Sequence, residues 1–235
     1  MLLQGRIMPG ERLREIPLSE QLGISRIPLR LALEKLAHEG FLELRPTRGF
    51  VAQQFSVEDV HDSIELRGSL EGAAAFLAAE RLKDPAEVTG LHSLNVRMVA
   101  IVDQRSDSMD LGVAFGEVNE LWHVELLRLS HSRQISRAMD QICALPFAAP
   151  SAFMQRDFVS EATVTAMRLA LNQHQQIAEA IAANDGELAS AIARQHCRVA
   201  RWNLQTALES PSSDLPQSLR LLRPSVSRTL VGTVA

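Results

Sequence analysis

Three of the seven histidines and one asparagine are spaced so that they could hold a metal ion. Asn119 and His123 lie four residues apart in a helical stretch, so their side chains share one face of that helix. His174 and His196 lie ten residues before and twelve residues after Asn184, which opens a break in the helical pattern. In an antiparallel helical hairpin these positions stand roughly 15 and 18 Å from the turn, at nearly the same height. We therefore expect the four side chains to converge inside a helical bundle.

Three imidazoles with one oxygen ligand suit Zn²⁺ or Ni²⁺ and leave one or two coordination positions for water or another ligand. The alternative interpretation is that three unrelated helix histidines fall into line by coincidence. A metallohydrolase is also possible in principle, because a metal-bound hydroxide is a nucleophile. Against that chemistry, the chain has no HExxH motif and no carboxylate at a defined offset from the histidines. We accordingly expect the protein not to be an enzyme.

Arg67 is the other side chain of this region that could bind a ligand. It falls on the apolar face of a predicted helix. The apolar residues of that face are Leu70, Ala74, Leu77 and Ala78. A buried arginine needs an anion as its partner. Two partners remain open at this point: Glu71, four residues further along the helix, or the carboxylate of a bound effector.

The elements that must position these residues are helices. Residues 56–208 show almost only helical periodicity, with breaks near 83–85, 105–107, 145–146 and 184–186. We therefore predict that residues 55–208 form an all-α bundle of antiparallel helices. Residues 209–235 mix Ser, Pro and isolated apolar residues, which is typical of a poorly ordered tail.

The first 54 residues have a different pattern, in which two short helices precede two strands. Leu18 to Leu22 indicates a helix that ends at Gly23, and Ser25 is predicted to cap a second helix through its hydroxyl. That helix is predicted to end at Gly40. Strand-like runs at 41–44 and 49–52 then flank the basic sequence Arg45-Pro46-Thr47-Arg48. This order of elements predicts a winged helix-turn-helix over residues 1–54.

Arginines occupy the positions from which such a domain reads DNA. Arg26 and Arg30 lie four apart near the start of the second helix, where the guanidinium fork matches guanine O6 and N7. Ser25 and the helix N-terminus can bind a phosphate, and Arg48 lies at the tip of the wing. Any one of these arginines alone is more typical of a solvated surface. The helix cap, the arginine spacing and the basic wing together favour DNA binding.

Composition agrees with a DNA-binding head on a body that does not touch DNA. The chain has 235 residues and a net charge of −4. Residues 1–54 contain eight Lys/Arg and six Asp/Glu, whereas residues 55–235 contain sixteen and twenty-two. The two cysteines show no CxxC spacing, which excludes a thiolate metal cluster and a disulfide framework. No apolar run reaches the ~18 residues of a membrane span and no signal peptide is recognisable, so we expect a cytoplasmic protein.

The N-terminal segment MPGERLREIPLSEQLGISRIPLRLALEKLAHEGFLELRPTRGFVA resembles the head of GntR-family regulators, with their PG-x-x-L start, S-R-x-P helix and P-x-R-G wing. The resemblance implies six DNA-contacting residues, namely Ser25, Arg26, Ile27, Arg30, Arg48 and Gly49. The chain departs from the family twice. Only about seven residues precede the PG, so the first helix is expected to be truncated, and Leu31 replaces a common Glu that could orient the arginines.

Residues 56–208 resemble the FCD-type effector domain of GntR regulators. The domain's E-x-R-x-x-L-E opening appears at Glu65 to Glu71, its (D/N)-x-x-x-H motif at Asn119 to His123, and its two further histidines at His174 and His196. The resemblance implies that Asn119, His123, His174 and His196 bind the metal. Asn119 stands where Asp is common, and its neutral amide oxygen is a poorer ligand. An anionic effector would then supply more of the charge balance.

These features together predict a bacterial transcription regulator of mainly α fold, with an N-terminal winged helix-turn-helix and a C-terminal helical bundle. We expect a homodimeric repressor that leaves a palindromic operator when a small carboxylic or sugar acid binds at the metal site, with Arg67 as a second clamp on the acid. Two alternatives remain at this stage: the metallohydrolase, and a DNA-binding scaffold whose helical domain only dimerises.

Overall fold

The computed structural model describes residues 6–104, 111–145, 147–150, 152, 161–209 and 222, and the predicted mainly α fold is confirmed. The three strands of the described part are β1 (Arg12–Leu13), β2 (Leu42–Arg45) and β3 (Gly49–Ala52). The helices of the described part are α1 (Glu15–Leu22), α2 (Arg26–His38), α3 (Val57–Arg81), α4 (Thr89–Asp103), α5 (Leu111–Leu129), α6 (Arg133–Cys143), α7 (Glu161–Ala182), α8 (Gly186–Cys197) and α9 (Val199–Glu209), with a short 3₁₀ helix at Pro85–Val88.

The helix-turn-helix has the predicted order, with two corrections. Helix α1 begins at Glu15 and not at Leu18, because Pro17 falls in its first turn, where the missing N–H needs no helical partner. Ser25 is the N-cap residue of α2, but its hydroxyl makes no capping hydrogen bond. The reason is local: Pro28 occupies the third position of the helix and has no N–H to donate.

The wing is a β-hairpin extended by a strand that the sequence pattern did not predict. β3 lies between β1 and β2 and is antiparallel to both, with Arg45 paired to Gly49 at the tip. Gly49 has φ +68°, a left-handed conformation that the tight turn requires and that glycine adopts without strain. One face of this sheet packs on α2. The buried residues of this small core are Ile7, Leu13, Leu29, Leu33, Leu42, Phe50 and Ala52.

Helix α3 runs through the centre of the helical domain and begins at a capping box formed by Ser56 and Asp59. Helix α8 packs closely along it because two glycines of α3 leave room. A Cβ atom at Gly68 would lie 3.1 Å from Cβ of Cys197, and one at Gly72 would lie 2.7 Å from Cγ of Arg194. The absence of side chains at these two positions therefore sets how near α8 stands to α3.

The other helices of the bundle share one apolar core. Its largest members include Phe115, Trp122, Leu126, Met98 and Ile177. The predicted breaks at 83–85 and 184–186 coincide with the starts of helices, since the 3₁₀ helix begins at Pro85 and α8 begins at Gly186. Leu145 follows the end of α6, while Pro146 and the predicted break at 105–107 lie outside the described residues. Of the predicted tail at 209–235, the structure describes only Glu209, which ends α9, and Leu222, which forms a parallel β-bridge with Phe55.

A second apolar cluster joins the two domains at the linker. Phe55 packs edge-on against Phe147, with ring centroids 4.7 Å apart. Phe41 contacts both this cluster and the core of the winged domain, and its carbonyl accepts a hydrogen bond from the N–H of Gln53. The first helix after the linker, α3, therefore packs against the apolar cluster that joins the winged domain to the helical domain.

Candidate metal centre and DNA-binding surface

The three histidines predicted to bind metal lie together in the interior of the bundle. His123 comes from α5, His174 from α7 and His196 from α8, and each is at most 7% exposed. Their Nε2 atoms face one another: His174 and His196 are 3.1 Å apart at these atoms, and His196 and His123 are 3.4 Å apart. Among the described residues, this is the one cluster of His, Cys, Asp and Glu side chains with spacing suited to an ion.

The local sequence explains why these three side chains converge. Asn184 takes a left-handed conformation (φ +56°), and the Asp185 side chain accepts from the N–H of Leu188 and so starts α8. The resulting α7–α8 hairpin places His174 and His196 side by side. Trp122, next to His123 on α5, stacks on the ring of His174 with centroids 3.9 Å apart and planes 17° apart. These contacts fix the ring positions.

The outer nitrogens of two of the three rings face acceptors that sequence reasoning had not assigned to the site. Nδ1 of His123 lies 3.1 Å from Oε2 of Glu71, within hydrogen-bonding distance although the N–H is not aligned with the oxygen. Nδ1 of His196 lies 3.2 Å from Oε1 of Gln173. Nδ1 of His174 is buried and has no hydrogen-bond partner in the described structure. No sequence signal marked Gln173, whereas Glu71 had been considered only as a partner of Arg67.

Burial dominates the electrostatics of this cluster. It lowers the pKa of His174 well below the usual range and that of His196 to about 3, and in both cases the neighbouring histidines add to the effect. Burial alone would raise the pKa of Glu71, but His123 and Arg67 outweigh it and hold that pKa at about 2. The cluster therefore combines the neutral imidazoles of His174 and His196 with the ionised carboxylate of Glu71.

Arg67 lies beside this cluster with most of its hydrogen-bonding capacity unused. It is 3% exposed, and its Nε stands 3.9 Å from Oε1 of Glu71, so the expected ion pair exists. That distance is too long for a hydrogen bond, and Nε and Nη1 have no partner in the described structure. Arg67, Asn119 and His196 line one cavity of about 40 Å³, together with Met167 and other residues of α7 and α9.

The donor set fits a metal ion better than it fits an empty core. In the tautomers whose Nε2 atoms all carry lone pairs, those lone pairs repel one another, whereas an ion between them satisfies all three. Zn–N bonds of roughly 2.0–2.1 Å in tetrahedral geometry would separate the donor atoms by about 3.3 Å, close to the observed 3.1 and 3.4 Å. Asn119 is buried one turn before His123 and borders the same cavity. Glu71, on the outer side of His123, is not positioned as a base for a water on the inner side.

The residues predicted to contact DNA are exposed on α2 and at the wing tip. Ser25, Arg26 and Arg30 are exposed, and Ile27, at 77% exposure, projects into solvent from the same turn. Arg48 is exposed beside Gly49 at the hairpin tip. Leu31 stands where the family commonly has a Glu that could orient the arginines, and in this chain the carboxylate that contacts Arg30 is that of Glu34.

Acidic neighbours orient two arginines of this surface. Nε of Arg30 donates to Glu34 at 3.1 Å, and Glu15 of α1 lies 3.9 Å from its Nη1. In the wing, Arg45 pairs with Glu43 at 2.7 Å, which leaves Arg48 as the arginine of the tip without a partner of its own in the described structure. The basic character of the wing is therefore concentrated at Arg48.

Two family profiles match the chain and together span most of it. The profile of bacterial regulatory proteins of the gntR family matches residues 1–51, and the FCD domain profile matches residues 62–199. The chain is a GntR-family regulator with an FCD domain. Proteins of this family are transcriptional regulators, so neither the hydrolase nor any other enzyme class is favoured.

Curated relatives of this GntR-family chain are regulators of operons. The Nta operon transcriptional regulator of Aminobacter aminovorans is 32% identical over 142 residues, which are 60% of this chain and 64% of that protein, just under two thirds of its length. A probable D-xylose utilization operon transcriptional repressor of Paenarthrobacter nicotinovorans is 27% identical over 83% of this chain and 80% of its own length.

Solved structures support the same fold. The structure of McbR/YncC from E. coli superposes with a TM-score of 0.56 at 21% identity, and the match covers 87% of this chain and 90% of that one. Within the described residues, no helix combines the length and the apolar character that crossing a membrane would need.

Proposed function

We propose that this GntR-family regulator is a repressor whose FCD domain holds a transition metal and binds a small acid beside it. One observation carries the proposal: three buried imidazole Nε2 atoms face one another next to an arginine with unpartnered donors. An ion would satisfy the first group and a carboxylate the second. Both binding events would take place within the bundle whose helix α3 begins directly after the linker to the DNA-binding head.

His123, His174 and His196 would hold the ion, with Asn119 as the oxygen ligand, and Zn²⁺ or Ni²⁺ suits this donor set. When bound, the metal supplies a positively charged position open to an anionic ligand. Glu71 and Gln173 orient the rings of His123 and His196 from outside. Since the ligands come from three helices, binding of the ion to the folded state stabilises the whole bundle.

The effector would be a small carboxylate or sugar acid that reaches Arg67. Nε and Nη1 of Arg67 are buried donors without partners. A buried donor that makes no hydrogen bond costs free energy. A carboxylate at either edge of the planar guanidinium, Nε with Nη2 or Nη1 with Nη2, would satisfy one of these two donors. The cavity of about 40 Å³ has a charged end at Arg67 and apolar walls that include Met167 and Ala170, which favours a compact acid.

The DNA-binding head would act in a homodimer in the cytoplasm. A single winged helix makes few base contacts, so two heads reading the halves of a palindrome supply the specificity. Arg26, Ile27 and Arg30 would face the major groove, Ser25 a phosphate, and Arg48 with Gly49 the backbone or minor groove. All of them are exposed except Gly49, which is half-buried at the hairpin tip, and this supports the assignment.

The test measures operator binding by the metal-loaded protein while candidate acids are added. The protein is purified without a His-tag, its metal is determined by elemental analysis, and an operator is selected from random duplexes. We expect acetate, malonate, citrate or gluconate to weaken operator binding about 5–150-fold, a typical coupling. The response should disappear in Arg67→Met but remain in Arg97→Met, because Arg97 is an exposed arginine of α4.

The Arg26→Ala/Arg30→Ala double variant serves as the control that cannot read the operator. Its free energy of operator binding should weaken by roughly 1–3 kcal/mol for each arginine removed, and its sequence preference should relax. Protein that contains no transition metal and takes up neither Zn²⁺ nor Ni²⁺ would contradict the metal site. An operator affinity that no acid changes would favour the alternative in which the helical domain only dimerises.

A further inference from the structure

A single buried carboxylate lies between the proposed metal ligands and the proposed effector clamp. Glu71 of α3 is 2% exposed. Its Oε2 atom lies 3.1 Å from Nδ1 of His123 and accepts a hydrogen bond of 3.1 Å from the thiol of Cys197. Its Oε1 atom lies 3.9 Å from Nε of Arg67. One side chain thus touches α5 and α8 while facing the guanidinium on its own helix.

The three rings of the cluster differ in what faces their outer nitrogen. His123 faces the carboxylate of Glu71, His196 faces the neutral amide oxygen of Gln173, and His174 has no partner. An acceptor at Nδ1 selects the tautomer whose Nε2 carries the lone pair that points inward. Glu71 alone among these acceptors also carries a negative charge. Its charge offsets that of Arg67 and would offset part of the charge of a bound ion.

We propose that Glu71 is a positioning residue with two opposed effects, an inference that rests on the proposed function. Its negative charge, 3.1 Å from Nδ1 of His123, favours the tautomer with the proton on Nδ1 and the lone pair on Nε2, and so strengthens metal binding. It is also the resident counter-anion of Arg67, and so it weakens the attraction between Arg67 and an incoming carboxylate. The two proposed binding sites therefore share one charge, and neutralising that charge should change their affinities in opposite directions.

Glu71→Gln tests both effects because it keeps the shape and removes the charge. It also gives His123 the same kind of acceptor that His196 already has in Gln173. Competition with a chromophoric chelator should show Zn²⁺ affinity about 10–100-fold lower than in the wild type. Titration with acetate at saturating Zn²⁺ should show binding about fivefold tighter or more. A general loss of packing would weaken both, so opposite changes separate positioning from a structural role.

Matched variants complete the experiment. Glu65→Gln removes an exposed carboxylate of the same helix that pairs with Arg201, and it should change neither affinity. Arg67→Met/Glu71→Gln should keep the weakened Zn²⁺ binding but lose the gain in acetate binding. If Glu71→Gln folds poorly, Glu71→Asp is the second variant. It keeps the charge and should therefore keep part of the Zn²⁺ affinity. Long-range ¹H–¹⁵N spectra of the Zn²⁺-loaded wild type should show the His123 proton on Nδ1.

The outcomes distinguish this inference from the proposed function. If the wild-type protein binds no metal, both the proposed function and this inference are contradicted. A wild type that binds Zn²⁺ and acetate, with Glu71→Gln indistinguishable from it, overturns only the role of Glu71. Weaker binding of both Zn²⁺ and acetate in Glu71→Gln, with intact helical content, also overturns it, because the proposed competition for Arg67 predicts a gain.

Discussion

Buried polar side chains in this protein are concentrated around one point of the bundle. Glu71, Arg67 and the three histidines are each at most 7% exposed, and several of their donors and acceptors have no partner within the described structure. A buried polar group without a hydrogen-bond partner costs free energy, so each one in a folded protein calls for an explanation such as a bound ion or ligand. At the scale of single residues, these unsatisfied atoms lie where we propose that the metal and the acid bind.

Cys143 gives a prediction at the same scale. Burial raises its pKa from near 9 to about 11, so between these values the unfolded chain loses the thiol proton and the folded chain keeps it. The free energy of unfolding should therefore fall as pH rises from about 9 to 11, by at most about 1.4 kcal/mol per pH unit for this group. Urea unfolding of metal-free protein at several pH values measures the slope.

Cys143→Ala is the control for that slope. The slope of the free energy of unfolding against pH should be smaller in the variant by the contribution of one proton. The slope that remains includes Cys197, whose pKa burial also raises, while the chain has no tyrosine to add to it. Equal slopes for the variant and the wild type would show that the Cys143 thiol does not titrate differently on folding.

At the scale of elements, the position of α8 depends on the two glycines of α3. Gly68→Val would place side-chain atoms against Cβ of Cys197, which already lies 3.1 Å from an added Cβ. We expect a loss of about 1–3 kcal/mol in the free energy of unfolding. Zn²⁺ affinity should fall as well, because α8 carries His196. Denaturant unfolding and chelator competition measure the two effects.

Ser69→Val is the matched control, since it adds the same β-branched side chain at the next, exposed position of α3. It should leave Zn²⁺ affinity unchanged. If both valine variants lost the same stability and bound Zn²⁺ equally well, the close approach of α8 would not explain the result for Gly68. Helix propensity would not explain it either, because valine forms helices better than glycine.

The sequence was sufficient for the elements and for the convergence of the histidines, because both depend on periodicity and on distance from a turn. The i, i+4 spacing of Asn119 and His123 and the similar heights of His174 and His196 needed only helical geometry. Strand β1 escaped prediction because two residues carry no alternation pattern. The prediction that the Ser25 hydroxyl caps α2 by a hydrogen bond was wrong, because Pro28 has no backbone N–H to donate. Glu71 and Gln173 as ring partners depend on the packing of α3 and α7 against other helices, which no local pattern reveals.

For the whole molecule, the question is how a change in the helical domain would reach the head. Helix α3 carries Arg67 and Glu71 and begins directly after the linker, where Phe55 and Phe147 join the domains. Position alone does not establish a route for coupling. What coupling requires is an effector with different affinities for the arrangements that bind and do not bind DNA.

Reciprocity supplies the prediction at this scale. If an acid weakens operator binding by some factor, operator DNA must weaken binding of that acid by the same factor. Calorimetric titration of the acid into the metal-loaded protein, with and without saturating operator, should therefore give dissociation constants that differ about 5–150-fold. Equal constants would mean that the helical domain does not control the head. Unreduced acid affinity in His174→Ala would mean that the acid binds away from the metal.

The stacking of Trp122 on His174 has an optical consequence. The chain contains two tryptophans and no tyrosine, so its ultraviolet emission comes from Trp122 in the core and from Trp202, which borders the Arg67 cavity. One indole lies in van der Waals contact with a proposed ligand ring, and the other lies beside the proposed effector. The molecule thus carries its own fluorescent reporters, one beside each proposed binding event, and occupancy of both can be followed in unlabelled protein.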